Sequence, residues 1–158
     1  LSERATITVW YAFSASNVTT GCMQYIPGTH NQGQLDHEEM GGENNLLMRG
    51  QTIHGIDEDN AVNVELQPGE FSIHHEAVVH GSGANNSAMP RIGLSIHYIA
   101  PHVHQLKLKD VAAASLVRGE DTHGHWGQDP EPSEDFDPAC LAALDASYGE
   151  YLTGAGKL

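Results

Sequence analysis

From Thr6 to Phe13 the chain alternates, with Ile7, Val9, Tyr11 and Phe13 on one side and Thr6, Thr8, Trp10 and Ala12 on the other. A period of two is the signature of a strand. Gly21 to Ile26 predicts a second strand, closed by Pro27-Gly28. Ala61 to Gln67 alternates again through Val62, Val64 and Leu66, and Pro68-Gly69 then marks a turn. Glu70 to His75 and Ala77 to His80 read as strand or strand edge. Ile92 to Ile99 sets Ile92, Leu94, Ile96 and Tyr98 opposite Arg91, Gly93, Ser95 and His97. His104 to Leu108 is a candidate extension of the sheet.

Two stretches break this rhythm. His30 to Asn60 is polar and acidic, with one short apolar patch at Leu46-Leu47-Met48. It predicts a long excursion between strands, and loops of such length often act as lids. Asp129 to Pro138 is too rich in proline and acid for regular structure. Ala139 to Leu152 predicts a terminal helix, with Leu141, Leu144, Tyr148 and Tyr151 near helical spacing. Short strands, Gly/Pro turns and little helix argue an antiparallel all-β sandwich or barrel. The expected division is a β domain over 1–128 and an acidic, Pro-rich segment with its helix over 129–158.

The 158 residues suit one domain with a real core. Twenty-one acids against 7 bases leave a formal net charge of -14. Such a surface repels nucleic acid and anionic lipid, because phosphate binding needs clustered Lys and Arg. No apolar run approaches the ~20 residues that span a bilayer. Cys22 and Cys140 lie far apart and match no Cys-x-x-Cys pattern, so the expectation is reduced thiols in a cytoplasmic protein.

Chemistry concentrates between Val62 and Ala100. His80 stands in His-Gly-Ser near a strand end, and Arg91 follows at the opening of the next strand. A neutral imidazole can bind a metal, and an Arg can grip a carboxylate through two parallel hydrogen bonds. Gly93 and Ser95 share the face of Arg91 and leave room for a ligand. The other histidines are weaker candidates. His74 and His75 point to opposite faces of one strand. His97 shares the face of Arg91 but lies about 20 Å along the strand at ~3.3 Å per residue. His37-Glu38-Glu39 has the form of a ligand pair but follows the Pro-Gly turn. His123-Gly124-His125 is a candidate surface chelator.

Three blocks resemble the phytanoyl-CoA dioxygenase family of iron(II)/2-oxoglutarate oxygenases. They are TITVWYAF with TGCMQYIPGTH, then LQPGEFSIHHEAVVHGSGANNSAMPR, then LVRGEDTHGHW, in the family's order. The resemblance implies a double-stranded β-helix, a jelly roll of the cupin type, with a short C-terminal helix. It implies iron(II) as metal, 2-oxoglutarate as co-substrate and hydroxylation of a small organic substrate. It places His80 as a metal ligand, Arg91 as the clamp on the far carboxylate of 2-oxoglutarate, and Trp10 and Ser82 beside the co-substrate. The family also carries a His-x-Asp pair ahead of the strand Trp, further upstream than Leu1. The chain is therefore expected to be the C-terminal part of such an enzyme, incomplete at its N-terminus and inactive by itself.

Other readings stay open. A jelly-roll binding module could keep the pocket without the metal. A zinc cupin would need several convergent histidines, which the strand parities do not supply. Hydroxylase and halogenase differ at the carboxylate ligand, which lies outside the sequence. Few basic residues argue against a CoA ester as substrate. Unpaired sheet edges predict a homo-oligomer, with Ile7, Val9, Tyr11 and Phe13 near the contact.

Overall fold

The computed structural model describes residues 1–3, 5–33, 35–39, 51–106 and 112–155, and they form two units. The larger unit, Thr6–Tyr98, is built of strands. These are β1 (Thr6–Ala12), β2 (Met23–Tyr25), β3 (Glu38–Glu39), β4 (Gln51–Thr52), β5 (Val62–Val64), β6 (Phe71–His75), β7 (His80–Ser82) and β8 (Gly93–Ile99, whose last residue passes into the second unit). One sheet has the order β6-β1-β8 and the other β5-β2-β7, while β3 and β4 form a separate ribbon. The run of β-branched and aromatic residues in β1 suits the central place of a sheet. Its antiparallel register with β6 pairs Thr8 with His74 and Trp10 with Ser72. Strand β2 lies between two antiparallel partners, with Gln24 opposite both Asn63 and Gly81.

The alternation seen in the sequence is present, and it runs polar-inward. Thr6, Thr8 and His74 are buried, whereas Ile7, Phe71 and Ile73 of the same strands are 46%, 55% and 60% exposed. The two sheets meet through their polar faces: the Tyr25 hydroxyl of β2 lies 2.9 Å from Ser72 Oγ and 3.0 Å from His74 Nδ1 of β6. Among the described residues, apolar burial in this unit is limited to small or medium side chains, Ala12, Cys22, Ile26 and Val79.

A turn and a loop set the position of β7. Asn17 and Thr20 cap one another, Thr20 N–H to Asn17 Oδ1 at 3.0 Å and Asn17 N–H to Thr20 Oγ1 at 2.9 Å. Gly21 follows with φ +73, and a Cβ there would lie 2.5 Å from the Gly83 carbonyl oxygen. The Asn86 N–H donates to Thr19 O, so the chain after β7 rests against this turn.

Several boundaries differ from expectation. Glu76 to Val78 form a turn, with Val78 N–H donating to His75 O, so His80 opens a strand rather than ending one. The excursion from His30 carries 3-10 turns at Thr29–Asn31 and Glu58–Asn60 and the β3-β4 ribbon. Its patch Leu46-Leu47-Met48 lies outside the described residues.

The second unit comprises Leu1–Ala5 and Ile99–Leu158. Loops hold it together: Val103 is fully buried, and Trp126 Nε1 donates to the Val103 carbonyl at 2.7 Å. Gly127 bridges Ala113, and Ser2 N–H donates to His104 O. His104 to Leu106 forms no strand, and Lys107 and Leu108 lie outside the described residues. Helix α1 (Pro138–Ala155) starts at Asp137, whose carboxylate accepts the Ala139 N–H and both donors of Ser133. Those bonds pull its pKa down to about 2. Leu141 and Leu144 are exposed, and the Tyr148 and Tyr151 side chains lie outside the described set. Among the described residues no helix is long and apolar enough to cross a membrane.

Candidate functional site

The polar faces of the two sheets enclose an open cavity of about 270 Å³. It is lined by Thr6, Thr8 and Trp10 of β1, Met23 of β2, His74 of β6, Glu76, His80 of β7, and Ser95 and His97 of β8. Thr6 Oγ1 is buried and has no hydrogen-bond partner among the described residues. A buried hydroxyl left open in this way is costly unless a ligand or water meets it.

His80 donates from Nδ1 to the Val78 carbonyl at 2.7 Å. A carbonyl only accepts, so Nδ1 carries a proton, and in the neutral ring Nε2 is the nitrogen free to bind a metal. Metal-ligating histidines are oriented by this kind of bond.

Arg91 lies over the Trp10 ring, its Cζ 5.3 Å from the ring centroid, and Nη2 reaches Ser82 Oγ in a long contact of 3.4 Å. Stacking of this kind is worth about 0.5–2 kcal/mol. Among the described residues no carboxylate pairs with Arg91. The indole itself fits because Gly93 has no side chain: a Cβ there would overlap the Trp10 ring carbons Cζ2 and Cε2. Trp10, Ser82 and Arg91 thus form one group, and Trp10 joins it to the cavity that His80 lines.

Three side chains that sequence reasoning set aside or missed also belong here. His74 is inward and buried, and its ring centroid lies 5.1 Å from that of His80. Burial, and next the neighbouring His80 and His97, hold its pKa below the ordinary histidine value. Burial pushes the Tyr25 hydroxyl above its ordinary range, so it stays protonated beside His74. His97 faces the cavity from β8, with Nδ1 3.0 Å from Thr8 Oγ1. Its distance from Arg91 along the strand did not remove it from the site, because the cavity runs along the sheet. The parity of β6 and β8 put His74 and His97 on the faces of Ser72 and Ser95, which was the available signal.

The remaining candidates lie elsewhere. His37 donates to the Leu35 carbonyl, Glu38 pairs with His54 at 2.8 Å, and neither lines the cavity. His75 accepts the Ala77 N–H on the opposite face from His74. His123 and His125 belong to the second unit. Among the described residues no group of three or more His, Cys, Asp or Glu stands ready to hold a metal ion. For an iron centre of two imidazoles and a carboxylate, the fit is therefore partial, with His80 as an oriented imidazole.

Comparison with known proteins bears on the family and the fold. Residues 2–93 match the family model described as phytanoyl-CoA dioxygenase. A probable phytanoyl-CoA dioxygenase of Caenorhabditis elegans is 34% identical over 93 residues, 56% of this chain and 29% of that protein. The peroxisomal phytanoyl-CoA dioxygenase of Bos taurus is 27% identical over 116 residues, 71% of this chain and 34% of that protein. The non-heme monooxygenase ThoJ, in its apo form, superposes with a TM-score of 0.79 at 32% identity, over 97% of this chain and 54% of ThoJ. EvdO2 from Micromonospora carbonacea var. aurantiaca, complexed with 2-oxoglutarate, gives 0.54 at 26% identity, over 60% of this chain and 38% of EvdO2. The chain thus spans about a third of the curated relatives' length and about half of ThoJ's. Its strands, with one C-terminal helix, have the cupin-like fold of these oxygenases, and the chain belongs to the phytanoyl-CoA dioxygenase family.

Proposed function

We propose that this chain forms the co-substrate side of an iron(II)/2-oxoglutarate-dependent oxygenase that hydroxylates a small organic substrate. The observation that carries the reading is Arg91, stacked on Trp10 and without a carboxylate partner among the described residues. A buried or half-buried guanidinium left unpaired favours an anionic ligand, and its planar fork suits a carboxylate. 2-Oxoglutarate offers two carboxylates: one would meet Arg91 and Ser82, and the other would face His80. Iron(II), when bound, would supply the oxidising chemistry, and His80 would hold it through Nε2. The described residues supply one oriented imidazole rather than a full ligand set, so we propose that this chain by itself is inactive.

The net charge of -14 supports a small-molecule substrate rather than nucleic acid. Two free thiols, Cys22 and Cys140, support a cytoplasmic setting. The outward apolar face of β6-β1-β8 supports self-association.

Calorimetric titration with 2-oxoglutarate in the presence of manganese(II) under argon tests the carboxylate clamp. Arg91→Ala should abolish the heat of binding, and Arg91→Lys should weaken binding, since it keeps the charge and loses the fork. Equal affinity in wild type and Arg91→Ala would remove Arg91 from the site and end this reading.

A further inference from the structure

The second unit brings together two His-x-His pairs that are far apart in sequence, His102/His104 and His123/His125. The ring centroids of His102 and His123 lie 6.2 Å apart, those of His104 and His125 4.9 Å, and those of His123 and His125 5.6 Å. We propose that these four histidines form a binding site for a late divalent transition metal such as zinc, separate in composition from the cavity lined by His80.

Distance is the first argument. With metal–nitrogen bonds of about 2.0–2.1 Å, two imidazoles on one tetrahedral ion have ring centres roughly 5 Å apart. The 4.9 and 5.6 Å pairs already stand at that spacing. The rings are tilted by 49° and 30°, and among the described residues they do not yet stand as a ready ligand group. His102, His123 and His125 are exposed, so turning them about their side-chain bonds meets little packing. The metal would assemble the site by that rotation.

The surroundings give the second argument. His104 Nδ1 is buried and has no partner among the described residues. An imidazole nitrogen left open in this way points to a missing ion or water. His102 Nε2 lies 2.8 Å from Glu3 Oε1. A carboxylate on one ring nitrogen orients the ring and leaves the other as a donor to metal. Asp121 accepts the His123 and Gly124 N–H groups, at 2.8 and 3.1 Å, and Gly124 takes φ +65 in the turn between the two histidines. Four imidazoles with flanking carboxylates suit zinc, copper or nickel better than the hard cations, which prefer oxygen ligands.

Zinc(II) competed between the tag-free chain and a chromophoric chelator at pH 7.5 is the test. The result expected is at least one equivalent that persists in His80→Ala and is lost in the double variant His123→Ala/His125→Ala. His102→Ala and His104→Ala should each weaken it on the order of 10–100-fold, and Glu3→Gln by less. Circular dichroism of each variant confirms folding. If the double variant does not fold, zinc protection of His102, His104, His123 and His125 in the wild-type chain against diethylpyrocarbonate serves in its place. No zinc binding, binding lost wholly with His80→Ala, binding that survives the double variant, or absence of protection would overturn the proposal.

Discussion

Gly93 on β8 leaves bare the space that the Trp10 indole fills on β1, and any side chain at position 93 would collide with that ring. The indole in turn carries the Arg91 guanidinium. Gly93→Ala should therefore displace Trp10 and Arg91 together. Forcing a methyl into a filled contact commonly costs about 1–3 kcal/mol. The expected outcome is a lower melting temperature and weakened 2-oxoglutarate binding by calorimetry. Unchanged affinity would mean that Trp10 is not the platform for the clamp.

Iron(II) should bind this chain weakly. His80 presents one oriented nitrogen, and no ready cluster of three ligands exists among the described residues. Titration with iron(II) under argon at micromolar protein should give no stoichiometric step that His80→Ala removes. A tight step dependent on His80 would show that His74 and His97, which share its cavity, turn inward to complete a ligand set.

His74 makes the larger unit acid-sensitive. Its folded pKa lies below the ordinary value of 6.5, chiefly through burial. Between those two values the unfolded chain holds more protons than the folded one, so stability falls as pH falls. The contribution is fully present above about pH 6.5 and is lost as pH drops toward the folded pKa. Melting temperatures from pH 8 to pH 5 should decline, and His74→Gln should flatten that decline. Parallel curves for the two proteins would show that another group controls it.

The outward face of β6-β1-β8 should draw two copies together. Ile7, Phe71, Ile73, Leu94 and Tyr98 are all more than a third exposed on one sheet. Patches of this kind mark interaction sites, while the net charge of -14 opposes open-ended growth. Light scattering during size exclusion should report a small oligomer, and Ile7→Glu or Ile73→Lys should lower the mass. A monomer of 17.0 kDa in the wild-type chain at low and moderate salt would refute the expectation.

Local pattern carried much of the fold. The alternation of Thr6 to Phe13 and of Ile92 to Ile99 marks β1 and β8 to within about a residue, and of the expected irregular stretch only Pro138 belongs to α1. The family blocks brought forward His80, Arg91, Trp10 and Ser82, and the structure sets Arg91 against both Trp10 and Ser82. Histidines brought in by distant pairing were not legible. His74 reaches the cavity because β6 pairs with β1, and His97 because β8 lies on the other side. His102 and His104 meet His123 and His125 through loops that no periodicity announces. Of the strand or strand edge expected over Ala77 to His80, only His80 lies in a strand, because the Val78 N–H returns to the His75 carbonyl and closes a turn.

The inward-facing polar sheets have a consequence for how this protein can change over generations. Residues such as Ser95 and Met23 line a space rather than a dry, interlocked core. Substituting them removes little of the packing that keeps the fold, which at Ala12, Ile26 and Val79 lies apart from the cavity lining. Mutations are purged mainly when they push stability below a threshold. The lining can therefore drift while the strands and the Arg91–Trp10–Gly93 stack stay in place. One scaffold can thus exchange the molecules it accepts without first being rebuilt.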